Sequence, residues 1–355
     1  MIMARTFKNI LIIKPSSLGD VVMALPGLSA LRKAYPDAKI SWLIRPEFTG
    51  LLEGHRLLDD IIIFDRKLLG KAWFNPRALG SLVSLILRLR RSKFDAVIDL
   101  QGLFRTACLG WLSGCRKRFG MAKAREFAHI FYNNKVSEQN CLHMVDYYLK
   151  VVKAAGAADI GAEFIFPDNP AVSDSVKKQL VEHGVDPDNY AVFVPGSAHR
   201  DKCWPVEKFA ALADKLSSGF GWSIIATGTE SERQTVEKLK QTAGAAIINF
   251  AGLTNLLQLT YLFKSAKLVL SNDTGPGHIA AVLDVPVVLI FGCSNPARVG
   301  PYGKSDCVVA VEPDGRGLEF KSSEAKYDIK AITVDEVYKK VCEQIEGKLP
   351  QSDNI

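Results

Sequence analysis

Residues 267–291 read KLVLSNDTGPGHIAAVLDVPVVLIF. Lys267–Ser271 and Val285–Phe291 are apolar on consecutive positions, as strands covered on both faces should be. Between them a polar turn with two glycines leads into Gly277–Leu283, which reads as a helix. Strand, glycine turn, helix and strand form the repeating unit of a parallel sheet with crossover helices.

The same alternation runs outward in both directions. Upstream, Lys8–Pro15 (KNILIIKP), Lys39–Ile44, Asp60–Phe64 and Phe94–Leu100 read as strands. Helices are expected at Gly19–Tyr35, Leu79–Arg91, Phe104–Leu112 and His143–Ala155. Two prolines in Phe166–Pro170 interrupt the pattern, and the domain boundary is placed there. It restarts with strands at Ala191–Pro195, Ser223–Thr227 and Ala246–Phe250, and helices at Pro205–Leu216, Glu230–Gln241 and Thr254–Ser265. Thr333–Glu346 reads as a terminal helix with a capping box, Thr333 with Glu336. The expectation is an α/β chain of two doubly wound, Rossmann-like domains facing across a cleft. Residues 1–168 form the first and 171–330 the second. Residues 331–355 are set apart as a helix and tail whose packing partner would be the first domain.

A length of 355 residues suits two domains, and 48% hydrophobic with 23% charged residues is a globular composition with a sizeable core. No apolar run reaches the roughly 20 residues of a membrane span. The N-terminal MIMARTFKNILIIKP lacks a small-residue cleavage site, so a cytoplasmic protein is expected. Seven scattered cysteines without CxxC spacing indicate neither a disulfide framework nor a zinc site. The net charge of +7, with cations concentrated in the first half, suggests an anionic partner. A nucleic-acid module is disfavoured, because neither aromatic platforms among the cations nor a reading motif appears.

In doubly wound sheets ligands bind beyond the carboxyl ends of the strands. Three junctions there carry unusual residues. In Lys14–Asp20 (KPSSLGD), Asp20 enters the first turn of a helix. It serves either as an ordinary cap or as a carboxylate that takes a proton from an attacking hydroxyl. A helix N-terminus makes it a weak base, which suits late proton transfer. In Val194–Pro205 (VPGSAHRDKCWP), Ser197 and backbone amides can cradle phosphate while Lys202 neutralises a departing diphosphate. The plainer alternative is a solvated loop. In Ser271–His278 (SNDTGPGH), Thr274 and the glycines make an anion-binding helix start. Asp273 there orients a sugar hydroxyl or the loop, and His278 is either a structural donor or a catalyst. A metal-binding DxD would have to be Asp186–Asp188, which precedes a strand at the wrong end and reads as a turn. Leu79–Arg91 (LGSLVSLILRLRR) either packs on the sheet with a basic outer edge or lies on an anionic surface.

Together and in this order, the three junctions resemble the ADP-heptose:lipopolysaccharide heptosyltransferases of glycosyltransferase family 9. Residues 271–303 are similar to the family's nucleotide-sugar signature, and KPSSLGDVVMALP to its acceptor-side signature. KAWF (71–74), VIDLQGL (97–103) and AREFAHIFYN (124–133) resemble the heptosyltransferase I branch. The resemblance implies an inverting GT-B enzyme that needs no metal or other cofactor. It would move heptose from ADP-heptose to the first Kdo of Kdo2-lipid A, with peripheral association at the inner membrane. It further implies Asp20 as general base, and Ser197, Lys202, Asp273, Thr274, Gly275 and His278 around the diphosphate and sugar. Ala198 stands where a hydroxyl residue is often found. Glu230 would meet the ribose and Thr254 the adenine edge, while Lys67, Lys71 and Arg125 would bind the acceptor. The rivals are a family member with another acceptor, such as heptosyltransferase II, and a two-domain sugar-nucleotide epimerase.

Overall fold

A computed structural model describes residues 6–347. The first residues of the leader-peptide reading and the end of the 331–355 tail lie outside them. The chain divides at Asp168/Asn169 into two compact units.

The first unit holds β1 (Asn9–Ile13), β2 (Lys39–Ile44), β3 (Asp60–Ile63), β4 (Ala96–Asp99), β5 (Arg118–Met121) and β6 (Asn134–Val136). They form one parallel sheet in the order β3-β2-β1-β4-β5-β6. Its helices are α1 (Leu18–Ala34), α2 (Arg66–Leu69), α3 (Pro76–Arg91), α4 (Phe104–Leu112) and α5 (Met144–Ala154). α1 packs along α5, which itself lies on β5 and β6, and Val21–Leu31 of α1 is buried throughout, including Pro26, Gly27 and Ser29. At Gly27 a Cβ would come within 3.2 Å of Val152, which lets α1 and α5 approach closely. On the other face Leu85 and Leu89 of α3 close a core with Leu11, Ile13 and Val97.

The second unit repeats the plan with β7 (Tyr190–Val194), β8 (Ser223–Ala226), β9 (Ile247–Asn249), β10 (Leu268–Asn272), β11 (Val287–Phe291) and β12 (Val308–Ala310). The order β12-β11-β10-β7-β8-β9 is again parallel throughout. Around it lie α6 (Pro170–Glu182), α7 (Val206–Phe220), α8 (Arg233–Thr242), α9 (Leu256–Lys264), α10 (Gly275–Val282), α11 (Pro296–Val299) and α12 (Val334–Glu346). The central strands β7, β10 and β11 are buried at every position, as their unbroken apolar runs require.

Several expectations need correcting. Residues 331–355 were set apart with the first domain as packing partner. Instead Val337 and Val341 of α12 lie in the second unit's core, and Trp204 Nε1 donates to Ile332 O at 3.0 Å. Pro170, read as part of a break, starts α6 at a position where the missing N–H costs nothing. Thr254 precedes α9 rather than opening it, because Asn255 caps that helix through Gln258 N. Strands β5, β6 and β12 were not anticipated. β5 tolerates its glycine because a Cβ at Gly120 would stand 2.4 Å from the Tyr132 ring.

Candidate active site

Both sheets have the strand order of dinucleotide-binding folds, and in each the order reverses between two central strands, β1 and β4 or β7 and β10. The crevice at that switch point is where such sheets bind ligands. Each unit places one group of predicted residues there.

In the first unit, Lys14 follows β1 directly and its side chain is almost wholly buried. Its Nζ donates to Leu100 O at 3.1 Å, lies 3.5 Å from Asp20 Oδ1 and sits 4.9 Å above the Tyr148 ring. Asp20 Oδ2 accepts from Ser17 N at 3.1 Å and Ser17 Oγ at 2.7 Å, and Tyr148 OH donates to Oδ1 at 3.1 Å. Asp20 therefore does cap α1, yet a third of its side chain remains exposed. Burial pushes its pKa up, but the Lys14 charge and the Ser17 and Tyr148 hydrogen bonds outweigh that and leave it below the ordinary value. Burial pulls the Lys14 pKa down against the opposing pull of Asp20 and Asp99.

Next to this pair, Asp99 ends β4. Its carboxylate accepts from Gln101 N, Gly102 N, Thr106 Oγ1 and Tyr132 OH. Burial raises its pKa despite these donors. Gly102 O in turn accepts from Arg125 N at 3.0 Å, and the Arg125 charge is felt at Lys14. Arg125 thus joins the Asp20 group. Lys67 and Lys71 do not. Lys67, on α2, is exposed and 3.9 Å from Glu47 Oε1, while Lys71 lies in the turn that follows α2.

In the second unit the loops after β7 and β10 are tied by Asn272. Its Nδ2 donates to Pro195 O at 2.9 Å and its Oδ1 accepts from Trp204 N at 3.0 Å. Lys202 Nζ lies 2.5 Å from Asp273 Oδ2, and His278 Nε2 lies 3.3 Å from Oδ1. Burial disfavours the Asp273 carboxylate, but His278 and Lys202 together hold its pKa far below the ordinary value. Asp273 is thus the anchor of a cation and a histidine. Thr274 caps α10 toward Gly277 N, and its hydroxyl is 3.0 Å from Ser271 Oγ. A Cβ at Gly277 would meet Leu289, Ser271 Oγ and Asn272 O at 3.0 Å or less, so this helix start is seated against the sheet. Gly275 opens α10, and the Pro276 that follows has no N–H to offer.

Ser197 Oγ accepts from His199 N at 3.3 Å. The chain continues through a short 3-10 turn, Arg200–Lys202, with Ala198–Asp201 exposed to solvent. Glu230 is held by Arg233 through two contacts of 2.7 and 2.8 Å, which lower its pKa. Gly252 N donates to Gly228 O at 2.9 Å, bringing the Thr254 loop beside Glu230. Asp186 Oδ1 accepts from Asp188 N, a turn ahead of β7 and at the opposite end of the strand from the switch point.

Sequence reasoning missed Lys14, Tyr148, Asn272 and Glu232. Lys14 was visible as a lone cation closing an apolar run. Glu232 caps Thr229 N at 2.7 Å and packs where a Cβ on Gly196 would stand, linking the loops after β7 and β8. Tyr148 reaches Asp20 from 128 residues away and left no local signal.

Residues 82–327 match Glycosyltransferase family 9 (heptosyltransferase). The chain is 28% identical over 318 residues to the lipopolysaccharide core heptosyltransferase OpsX of Haemophilus influenzae, covering 88% of this chain and 87% of that one. It is also 28% identical over 303 residues to lipopolysaccharide heptosyltransferase 1 of Escherichia coli K12, covering 84% and 92%. The E. coli heptosyltransferase WaaC, solved with ADP, superposes with a TM-score of 0.76 at 26% identity over 95% of this chain and 99% of that one. WaaC has also been solved with ADP-2-deoxy-2-fluoro heptose. Two parallel six-stranded sheets of this order, superposing on WaaC, are the GT-B fold, and with the family match they make the chain a glycosyltransferase of the GT-B class. Within that class the chain belongs to glycosyltransferase family 9, the heptosyltransferases.

Proposed function

We propose that the chain transfers L-glycero-D-manno-heptose from ADP-heptose to the first Kdo of Kdo2-lipid A, with inversion and without a metal. The observation with most weight is Lys202, fixed by the buried Asp273 beside the N-terminus of α10. A preorganised cation and helix amides are what a departing diphosphate needs.

In this reading a Kdo hydroxyl oxygen bonds to the anomeric carbon of heptose. The bond from that carbon to the phosphate oxygen breaks, and its electron pair leaves with ADP. Lys202 and the amides near Thr274 and Gly275 stabilise the new charge, with Ser197 and His278 completing the pocket and Glu230 and Thr254 meeting the nucleoside. The hydroxyl proton passes to Asp20. Its lowered pKa suits a proton that moves late, after bond formation has acidified the hydroxyl. Lys67, Lys71 and Arg125 would pair with acceptor anions. Removing one preorganised contact of this kind typically costs ~3 kcal/mol of transition-state stabilisation.

No described helix is long and apolar enough to cross a membrane, and the proposed site of action is the cytoplasmic face of the inner membrane. ADP release from ADP-heptose tests the reading, with and without Kdo2-lipid A, in EDTA, for the native chain and Asp20→Ala. Release that depends on Kdo2-lipid A, survives EDTA and collapses in the variant supports it. Release only with a heptosylated core acceptor would reassign the acceptor, and loss in EDTA would reinstate a metal.

A further inference from the structure

One surface of the first unit is unexplained by the chemistry above. α3 buries Ala78, Leu85 and Leu89, yet Leu79, Val83 and Leu87 are 50%, 47% and 44% exposed. These three recur at every fourth position, so they form one stripe on a face turned away from the core. Directly ahead of the helix, Trp73 and Phe74 are each 91% exposed. Two nearly bare aromatic rings next to an apolar helical stripe are unusual on a surface that meets only water.

The chain segment that carries the stripe has charges of one sign only. Between Asp65 and Asp95 the chain has eight cations and no acidic residue. Arg88 is paired with Asp60, and Arg90 donates to Leu112 O. Lys71, Arg77 and Arg91 have no acidic partner among the described residues. The whole first unit carries 25 Lys and Arg against 15 Asp and Glu, while the second carries 20 against 23. An apolar stripe rimmed by unpaired cations complements an anionic lipid surface, where the rings enter the acyl boundary and the cations meet headgroups.

Topology gives this surface a direction. A helix that follows a strand in a parallel sheet starts at the carboxyl edge, so Trp73, Phe74 and the start of α3 lie at the same sheet edge as Asp20. We propose that the Trp73–Phe74 turn and the Leu79–Val83–Leu87 stripe seat the first unit on an anionic phospholipid bilayer. This rests on the reading of the acceptor as a membrane lipid. A bilayer contacted there would present the acceptor's sugars at the edge where Asp20 stands.

Sedimentation with phosphatidylglycerol–phosphatidylcholine vesicles, against pure phosphatidylcholine, tests the proposal. The native chain should bind the anionic vesicles and release as salt shortens the screening length from ~10 Å toward ~3 Å. Trp73→Ser/Phe74→Ser and Val83→Glu/Leu87→Glu should each lower binding by about tenfold or more. On a water-soluble, deacylated Kdo acceptor the Val83→Glu/Leu87→Glu enzyme should turn over like the native one, which also shows that it is folded. On acceptor in vesicles it should slow. Binding indifferent to both double substitutions would overturn the proposal, as would binding only when Kdo2-lipid A is in the vesicle. Lack of turnover on either acceptor, with vesicle binding and its sensitivity intact, would sink the heptosyl-transfer reading and leave the docking surface standing.

Discussion

Replacing Lys202 by methionine keeps the stem and removes the charge. At 2.5 Å from Asp273 Oδ2, the gross attraction is about 7 kcal/mol with an effective dielectric of about 20. That overstates the loss, because desolvating the ammonium already offsets part of it. Breaking a buried pair from one side costs about 3–5 kcal/mol. Asp273 can also escape by taking a proton, which from its ordinary 3.8 costs at most about 4 kcal/mol at pH 7. The expected destabilisation of the second unit in urea is therefore about 3–4 kcal/mol at pH 7. The sign of its pH dependence is fixed. A depressed carboxylate pKa contributes stability above the unfolded value, and that contribution fades as pH falls. The gap between native and Lys202→Met should thus narrow below about pH 4. Catalysis should respond separately, with kcat/KM down by about a hundredfold, or ~3 kcal/mol. The second substitution Asp273→Asn removes the stranded charge, so the double variant should regain most of the lost stability but not the lost rate. Recovery of both would refute the reasoning and reduce Lys202 to a structural partner of Asp273.

Asp20→Asn should lower kcat by about a hundredfold to ten-thousandfold while ADP affinity, read by calorimetry, stays native, since Asp20 belongs to the first unit. Because the Asp20 pKa lies below the ordinary carboxylate value, the native kcat/KM profile should show no acid limb from this group above about pH 5. Tyr148→Phe removes one of the hydrogen bonds that lower it and should move the limb upward; a limb that stays put would show that Tyr148 does not tune the base. Asp99→Ala strands four donors and should cost about 3 kcal/mol or more in urea unfolding, with reduced affinity for an anionic acceptor as the Arg125 turn loosens. Gly252→Ala should cost about 1–2 kcal/mol at its φ of +76°, and should weaken ADP binding because the new Cβ would lie 2.1 Å from Glu230 Oε2.

The central strands were legible because burial on both faces leaves an unbroken apolar run, as in VFV of β7 and VVLIF of β11. Strands β5, β6 and β12 have no such mark, whereas the edge strands β3 and β9 lie in the apolar runs DIIIF and AIINF. NKV of β6 and VVA of β12 offer three residues each, too few for a period to emerge. The site divides in the same way. Asp20, Thr274 and Gly275 sit at helix starts whose turn chemistry is local, so the chain announces them. Tertiary partners are another matter: Tyr148 to Asp20 and Lys202 to Asp273 span 128 and 71 positions, and nothing near either residue encodes the other. The contact of Asp273 with Lys202 likewise becomes visible only once β7 and β10 are neighbours.

The place of α12 in the second unit's core has a practical consequence. With α12 there, the polypeptide passes the Asp168/Asn169 division once among the described residues. Each half is one uninterrupted stretch with a complete sheet of its own. On the proposed reading, recombination at that point would join one enzyme's nucleotide-sugar half to another's acceptor half without cutting a strand or helix. New glycan linkages could then arise by exchanging whole halves instead of rebuilding a pocket residue by residue.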